Sequence, residues 1–164
     1  MPEINKSSRH SKITGDFAEA LVLYMLSKHG FECANIDHTG IDLLAKNPNT
    51  KELMGISVKS RSRNSGKETE HMNIPNDNFE KVRNACIAFG CEPYFAIVID
   101  RGESIIIFIL SQIKLFEYAP QGKSVSIWKM GEKYMEKYRA DKDIYLIEFK
   151  SKISNWWEGE TDVI

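Results

Sequence analysis

Charged side chains interrupt three apolar segments in the first third of the sequence. Glu19 lies in an alanine- and leucine-rich segment, Asp42 in the segment GIDLLA, and Lys59 in the segment GISVKSR. A charge in such a segment costs free energy unless a partner compensates it. Carboxylates are the hard oxygen ligands that Mg²⁺ prefers, and a lysine can hold and polarise an attacking water. If the three side chains converge, the chemistry that they suit is phosphodiester hydrolysis.

The elements that must position these side chains follow from the apolar periodicity of the chain. The predicted elements are a helix at about 15–28 capped by Thr14, strands at 31–36, 41–46 and 53–60, a helix at 78–89, strands at 94–99 and 104–110, a strand at 125–130, a short helix near 132–139 and a strand at 144–149. The order helix, three strands, helix, strand indicates an α/β or α+β class, and we predict α/β, with a mixed central sheet flanked by helices.

The strand that carries Asp42 is predicted to be half-buried. Alternation along a strand places Ile41, Leu43 and Ala45 on one side and Asp42 on the other. The turn-rich link NPNTKE then joins this strand to the next one as a hairpin.

The pairing register of this hairpin decides whether its charges meet. If Lys46 pairs with Leu53, then Asp42 lies opposite Ser57 and one step from Lys59 on the same face. A slip by one residue would separate Asp42 from Lys59. The sequence therefore predicts a specific register along with the site.

Glu19, the sequence GID ending at Asp42 and the sequence SVK ending at Lys59 together resemble the PD-(D/E)XK nuclease superfamily. Within it, the spacing and the sequence VKSR are most similar to archaeal Holliday-junction resolvases and related small endonucleases. The resemblance covers about residues 15–110 and implies a restriction-endonuclease-like αβββαβ core. It also implies a metal-dependent endonuclease that hydrolyses phosphodiester bonds in DNA, with Mg²⁺ or Mn²⁺ as cofactor, and a homodimer.

The resemblance also implies a role for each site residue. Asp42 would be the central metal ligand, and Glu19 a direct or water-mediated ligand. The main-chain carbonyl of Val58 would complete the metal shell, and Lys59 would orient the attacking water. Ser57 occupies the position, two residues before the lysine, at which the superfamily usually has Glu, Asp or Gln.

Two interpretations of Ser57 remain open at the level of sequence. Either the metal is held by the other ligands and extra waters, or the domain is a catalytically degenerate module that binds nucleic acid or a protein partner. A hydroxyl is a weak substitute for a carboxylate on a divalent cation. The form of the substrate is equally open, because branched DNA, linear DNA, damaged ends and RNA all fit the pattern.

Basic residues near these segments are candidates for contacts with nucleic acid. Arg61, Arg63 and Lys67 follow Lys59 in a loop-like segment and could track phosphates. A second basic segment, KSSRHSK, precedes the first helix. It is either an arm that lies on a nucleic-acid backbone or a disordered end, and we favour the disordered end. Asp37 is a weaker rival to Asp42 because it ends its strand.

Length and composition limit the remaining possibilities. The 164 residues are 42% hydrophobic and 27% charged, with a net charge of -1, as expected for a single globular domain without a basic surface overall. We predict a flexible basic segment at 1–14, one nuclease-like domain at 15–150 and a tail at 151–164. Three cysteines without disulfide or zinc spacing, and no signal-peptide or membrane-spanning run, predict a cytoplasmic protein with no membrane contact.

Overall fold

The computed structural model describes residues 5–63 and 71–151. Its elements in chain order are α1 (His10–Lys28), β1 (Glu32–Asn35), β2 (Leu43–Lys46), β3 (Leu53–Ser62), β4 (His71–Pro75), α2 (Asn76–Phe89), β5 (Glu92–Asp100), β6 (Ser104–Ser111), α3 (Gln112–Tyr118), β7 (Val125–Lys129), α4 (Glu132–Ala140) and β8 (Tyr145–Lys150). No helix in the described part of the chain has the length and apolar character needed to cross a bilayer.

A six-stranded sheet in the order β1-β2-β3-β5-β6-β8 forms the centre of the fold. Strands β3 and β5 are parallel, and the other neighbouring pairs are antiparallel. A parallel pair needs a crossover connection, which here contains α2. The predicted α/β class, with a mixed sheet flanked by helices, is therefore confirmed.

The sheet has a hydrophobic core on each face. On one face Ala18 and Val22 of α1 pack with Leu43 and Ile56, and all four side chains are fully buried. On the other face α2 packs against alternate residues of β5 and β6. Because both faces are covered, β5 and β6 are almost continuously apolar.

The last third of the chain belongs to the core on the α2 face. A small second sheet pairs β4 with β7, and β7 carries the fully buried Trp128. The Trp128 ring stacks on Tyr138 of α4, with 4.2 Å between ring centroids. Both side chains belong to the same buried cluster as Phe95 and Phe108 of the central sheet. This region, which lies beyond the residues that the family resemblance covers, is thus packed onto the predicted core.

Helix α1 begins at His10 rather than near Gly15, so the predicted boundary is wrong. The Thr14 hydroxyl donates a 2.7 Å hydrogen bond to the carbonyl of His10 within the helix, instead of capping its first turn. Sequence also missed β4, whose partner β7 lies about fifty residues further along the chain, and the short helix α3.

Candidate active site

The β2–β3 hairpin has the predicted register. Lys46 pairs with Leu53, and Leu43 pairs with Ile56. Asp42 immediately precedes β2, but its backbone extends the sheet in both directions. Its amide donates to the carbonyl of Ile56, and its carbonyl accepts from the amide of Ile36, each at 2.8 Å. The backbone of Asp42 is therefore fixed at the end of the β1–β2–β3 ladder.

The loop before Asp42 passes directly over α2. Gly40 has a φ of +110°, and a Cβ built there would lie 2.3 Å from the carbonyl oxygen of Lys81 in α2. Ile41 consequently packs into the core on the α2 face, whereas Leu43 and Ala45 pack into the core on the α1 face. The prediction that these three share one face is wrong, because regular alternation starts only at Leu43.

The Asp42 carboxylate binds the backbone of β3. Its Oδ2 accepts a 2.7 Å hydrogen bond from the amide of Val58, beyond the point where β2 pairs with β3. Burial raises the pKa of the Asp42 carboxyl group, more than the Val58 amide and the positive charge of Lys59 lower it. The amide of Val58 thus holds the Asp42 carboxylate. The carbonyl of the same residue is the predicted backbone ligand of the metal.

Glu19 approaches Asp42 from helix α1. Burial, and after it the negative charge of Asp42, raises the pKa of the Glu19 carboxyl group. When protonated, Glu19 donates a hydrogen bond to the Asp42 carboxylate. Two carboxyl groups in such contact repel each other unless a proton or a cation lies between them.

Lys59 is half-buried between β3 and α2. Its Nζ donates a 2.5 Å hydrogen bond to Oδ1 of Asn78 in the first turn of α2. Burial lowers the pKa of Lys59, and the carboxylates of Asp42 and Asp77 oppose that shift. The ammonium group is therefore oriented by Asn78 and lies within the electrostatic reach of Asp42.

Ser57 is 2% exposed and lies on β3 two residues before Lys59. It adds no charge to the site. Within residues 5–63 and 71–151, no group of three or more His, Cys, Asp or Glu side chains is arranged to hold a metal ion. The acidic groups at this position are thus the carboxylate pair of Asp42 and Glu19, next to the backbone of Val58.

A carboxylate pair of this kind fits one class of metal ion better than others. Mg²⁺ is commonly bound by one or two carboxylates, with waters and substrate phosphates as its other ligands. Structural zinc sites instead need four protein ligands, mostly sulfur or nitrogen. Without metal, the contact between Glu19 and Asp42 needs a proton between the two carboxyl groups. A divalent cation bound there would take the place of that proton.

Asp37 and Asn78 interact with residues of the candidate site, although the sequence pattern gave little indication of it. The negative charge of Asp37 acts on both Asp42 and Glu19, although its position at a strand end had made it the weaker candidate. Asn78 anchors Lys59 but was predicted only as a helix start. The polar run Asn76–Asn78 at the start of an otherwise amphipathic helix was the available signal.

The predicted phosphate-tracking residues are only partly described. Arg61 is exposed and lines a groove beside α1. The backbone amide of Arg63 donates to the carbonyl of Asp100, which extends the β3–β5 pairing. Lys67 lies outside the described residues, so its role stays a prediction.

The element order α1-β1-β2-β3-α2-β5, with β3 and β5 parallel, is that of the restriction-endonuclease-like fold. Among solved structures, the chain is similar to Hjc of Archaeoglobus fulgidus, a Holliday junction resolvase from an archaeal hyperthermophile. The two are 21% identical with a TM-score of 0.52, and the match covers 70% of this chain and 83% of that one. No protein-family model and no curated protein matches the sequence. The resemblance seen in Glu19, Asp42 and Lys59 is thereby confirmed at the level of the fold.

Proposed function

We propose that this protein is a metal-dependent endonuclease that hydrolyses phosphodiester bonds in DNA. The observation that carries the proposal is the convergence of Glu19, Asp42 and Lys59 at the end of the β2–β3 hairpin. Asp42 and Lys59 come from neighbouring strands of one hairpin, and Glu19 comes from a helix on one face of the sheet, so only the folded chain brings all three together. Their chemistry suits a cation and a polarised water beside a phosphate.

Asp42 and Glu19 are the residues that would hold Mg²⁺ or Mn²⁺, with the Val58 carbonyl beside them. A divalent ion bound there would neutralise phosphate charge and acidify a bound water. Asp42 is the better-fixed of the two carboxylates, because its backbone is part of the sheet and its Oδ2 is bound by the Val58 amide. Glu19 lies on α1 and can adjust through its side-chain torsions.

Besides a bound metal ion, Lys59 would supply positive charge at the candidate site. Its bond to Asn78 directs the ammonium group towards the space between β3 and α2. An ammonium has three donors, so the bond to Asn78 leaves donors for a water or a phosphate oxygen. Lys59 would therefore orient the attacking water or stabilise the charge that develops on the phosphate.

Ser57 supports a second candidate function, a module that binds nucleic acid without cutting it. A buried neutral hydroxyl stands where a third carboxylate would complete the metal ligands. In that case the fold and the basic residues around it would serve binding alone. The two functions differ in one measurable outcome, which is cleavage in the presence of a divalent metal.

The test is cleavage of a four-way DNA junction, a linear duplex and a single-stranded RNA, each with Mg²⁺ and with Mn²⁺. We expect metal-dependent cleavage of DNA, and a decrease of about 100-fold or more in Asp42→Asn, because the amide keeps the shape but loses the charge. DNA binding without metal should survive this change. The matched control is Asp143→Asn, an exposed carboxylate in the segment before β8, which should cleave at the normal rate.

Absence of cleavage on every substrate with either metal would contradict the endonuclease proposal. Retained DNA binding would then favour the binding module. Equal cleavage by the wild type and Asp42→Asn would place the chemistry elsewhere in the chain. Sedimentation of the free protein and of its DNA complex would test the homodimer that the resemblance implies.

A further inference from the structure

A polar pocket lies between the start of helix α1 and the end of strand β3. It is open to solvent, with a volume of about 370 Å³. Side chains that line it include Lys6, Ser8, His10, Ser11, Ser60 and Ser62. The lining is thus rich in hydroxyl donors, with one ammonium and one imidazole and no carboxylate among the residues that line it. We call it the α1 pocket.

Lys6 places a positive charge at the edge of the α1 pocket. Its Nζ donates a 2.8 Å hydrogen bond to the carbonyl of Ser62, which ties the segment before α1 to the end of β3. That bond uses one of the three ammonium donors. The segment predicted as a disordered end is therefore attached to the sheet at this point, with its charge held beside the pocket.

The start of α1 adds to the positive potential of the pocket. Its first turn contains no acidic residue, and Arg9 at the N-cap makes no side-chain hydrogen bond to the helix. The positive end of the helix dipole is therefore not neutralised by its own first turn. Independently, the imidazole Nε2 of His10, a residue that lines the pocket, is buried without a hydrogen-bond partner among the described residues. An oxyanion is the ligand that Lys6, the hydroxyl groups and the start of α1 suit together.

The position of the α1 pocket relates it to the candidate active site. Ser60 directly follows Lys59, and Ser11 precedes Glu19 by eight residues on the same helix. Eight residues of helix correspond to about 12 Å, a distance that a few nucleotides of one DNA strand can span. A strand with one phosphate at Asp42 and Lys59 would bring another phosphate of the same strand to the pocket.

We propose that the α1 pocket binds a backbone phosphate of the DNA strand, a few nucleotides from the bond that is cut. This inference rests on the proposed function, because it assigns one more contact to the same substrate. Lys6 would supply the charge, and the serine hydroxyls would donate hydrogen bonds to the phosphate oxygens. Such a contact carries no sequence information and serves to fix the register of the strand.

The experiment measures DNA binding against salt concentration, without divalent metal so that nothing is cut. Lys6→Ala should weaken binding and reduce the slope of log K against log salt by about one, because one phosphate contact and its counterion are lost. The matched control is Lys12→Ala, which removes the same charge six residues further along the chain. Lys12 is 67% exposed, pairs with Asp16 at 3.2 Å and does not line the pocket, so its slope should stay close to that of the wild type.

Four outcomes separate this inference from the proposed function. If the protein cleaves DNA but Lys6→Ala and Lys12→Ala have the same slope, the inference is overturned and the function stands. A Lys6-dependent slope in a protein that cuts nothing supports the inference and contradicts the function. No DNA binding at all overturns both. Binding of inorganic phosphate that depends on Lys6, with an unchanged slope for DNA, marks a site for free anions and also overturns the inference.

Discussion

Ser57 is the residue at which the candidate site differs most from what a divalent metal prefers. It lies between Asp42, its expected neighbour across the hairpin, and Lys59, two residues further along β3. At 2% exposure, Ser57 has almost no contact with bulk water. Any charge introduced here would therefore be buried beside two other carboxylates, and it would be tolerated only with a cation present.

Ser57→Glu should tighten the binding of Mn²⁺ by about tenfold, because affinity for a hard cation rises with the number of anionic ligands. The same variant should unfold at a lower temperature than the wild type when metal is absent, since a third carboxylate joins Asp42 and Glu19. Titration calorimetry with Mn²⁺ and thermal unfolding with and without the metal would measure both effects.

Ser57→Gln is the matched control, because it has the size and shape of the glutamate without the charge. A gain in Mn²⁺ affinity that is as large for Gln as for Glu would contradict the assignment of a metal beside Asp42. If the wild type cuts no DNA while Ser57→Glu does, the natural protein is the binding module and Ser57 is the cause.

The residues of the site differ in how far sequence could reveal them. Asp42 and Lys59 could be predicted to lie together because strand alternation and the hairpin link fix their relation within about twenty residues, and the charge of Lys59 does act on Asp42. Glu19 was predicted because a carboxylate in the second turn of the helix expected at 15–28 lies too deep for ordinary N-capping and needs another reason. Asn78 was missed, because its bond to Lys59 depends on how α2 packs across the sheet, which no local pattern encodes.

The loop between β1 and β2 is the element that sets the position of Asp42. It connects two antiparallel strands, but it also packs against α2 at Gly40 and directs Ile41 into the core on that face. Only after this contact does the chain enter regular strand geometry at Leu43. Packing of this loop on α2 therefore aligns the carboxylate with the end of β3.

Gly40→Ala should destabilise the protein by about 1–3 kcal/mol, as expected for a side chain at positive φ. It should also lower cleavage, because the new Cβ would meet the backbone of Lys81, and the loop must move together with Asp42. Denaturant unfolding and cleavage rates at saturating DNA would measure the two effects.

Substitutions at two other glycines separate the effect of backbone strain on stability from the effect of loop displacement on cleavage. Gly102→Ala introduces a side chain at a φ of +89° with no atom within 4 Å, so it should lower stability without reducing cleavage. Gly15→Ala, within α1 and equally open, should be neutral or stabilising by up to about 1 kcal/mol. If Gly40→Ala resembles Gly102→Ala in cleavage, the loop does not position Asp42.

The elements of the central sheet could be predicted because each carries its own periodicity. The strands β2, β3, β5 and β6 and helix α2 were all placed within a few residues. Strand β4 was missed because it exists through its pairing with β7, about fifty residues away, and α3 is too short to show a helical period. The start of α1 was misplaced because Thr14 resembles a cap, yet its hydroxyl bonds back to His10 within the helix.

At the scale of the whole molecule, the candidate site joins the two faces of the sheet. Glu19 comes from the helix on one face, and Lys59 is held by Asn78 of the helix on the other. With a net charge of -1, the protein would offer DNA no general electrostatic attraction, so the proposed binding would rest on local groups, for which Lys6 and Arg61 are candidates. The negative charges of Glu19 and Asp42 repel each other at this position, so under the proposed function the stability of the fold and the binding of metal would be opposed there.

This opposition gives a prediction for the stability of the whole protein. Without metal, Glu19→Gln should unfold at a higher temperature than the wild type, because it removes a negative charge that is partly buried and repelled by Asp42. At a metal concentration of ten times Kd, Mn²⁺ should stabilise the wild type by about 1.4 kcal/mol, which corresponds to about 3–6 °C in Tm. The increase in Tm with Mn²⁺ should be smaller for Glu19→Gln than for the wild type. The difference in Tm between the two proteins should therefore shrink, or change sign, when metal is bound.

Glu80→Gln is the control for this comparison, because Glu80 is an exposed carboxylate on α2 and makes no contribution to the charge pair. It should leave both the Tm without metal and the increase with Mn²⁺ close to those of the wild type. A Glu19→Gln protein that retains the full increase would show that Glu19 is not a ligand and that Asp42 binds the ion without it. A lower Tm in the absence of metal would show that the contact between Glu19 and Asp42 stabilises the fold, and that the proton they share already compensates for their repulsion.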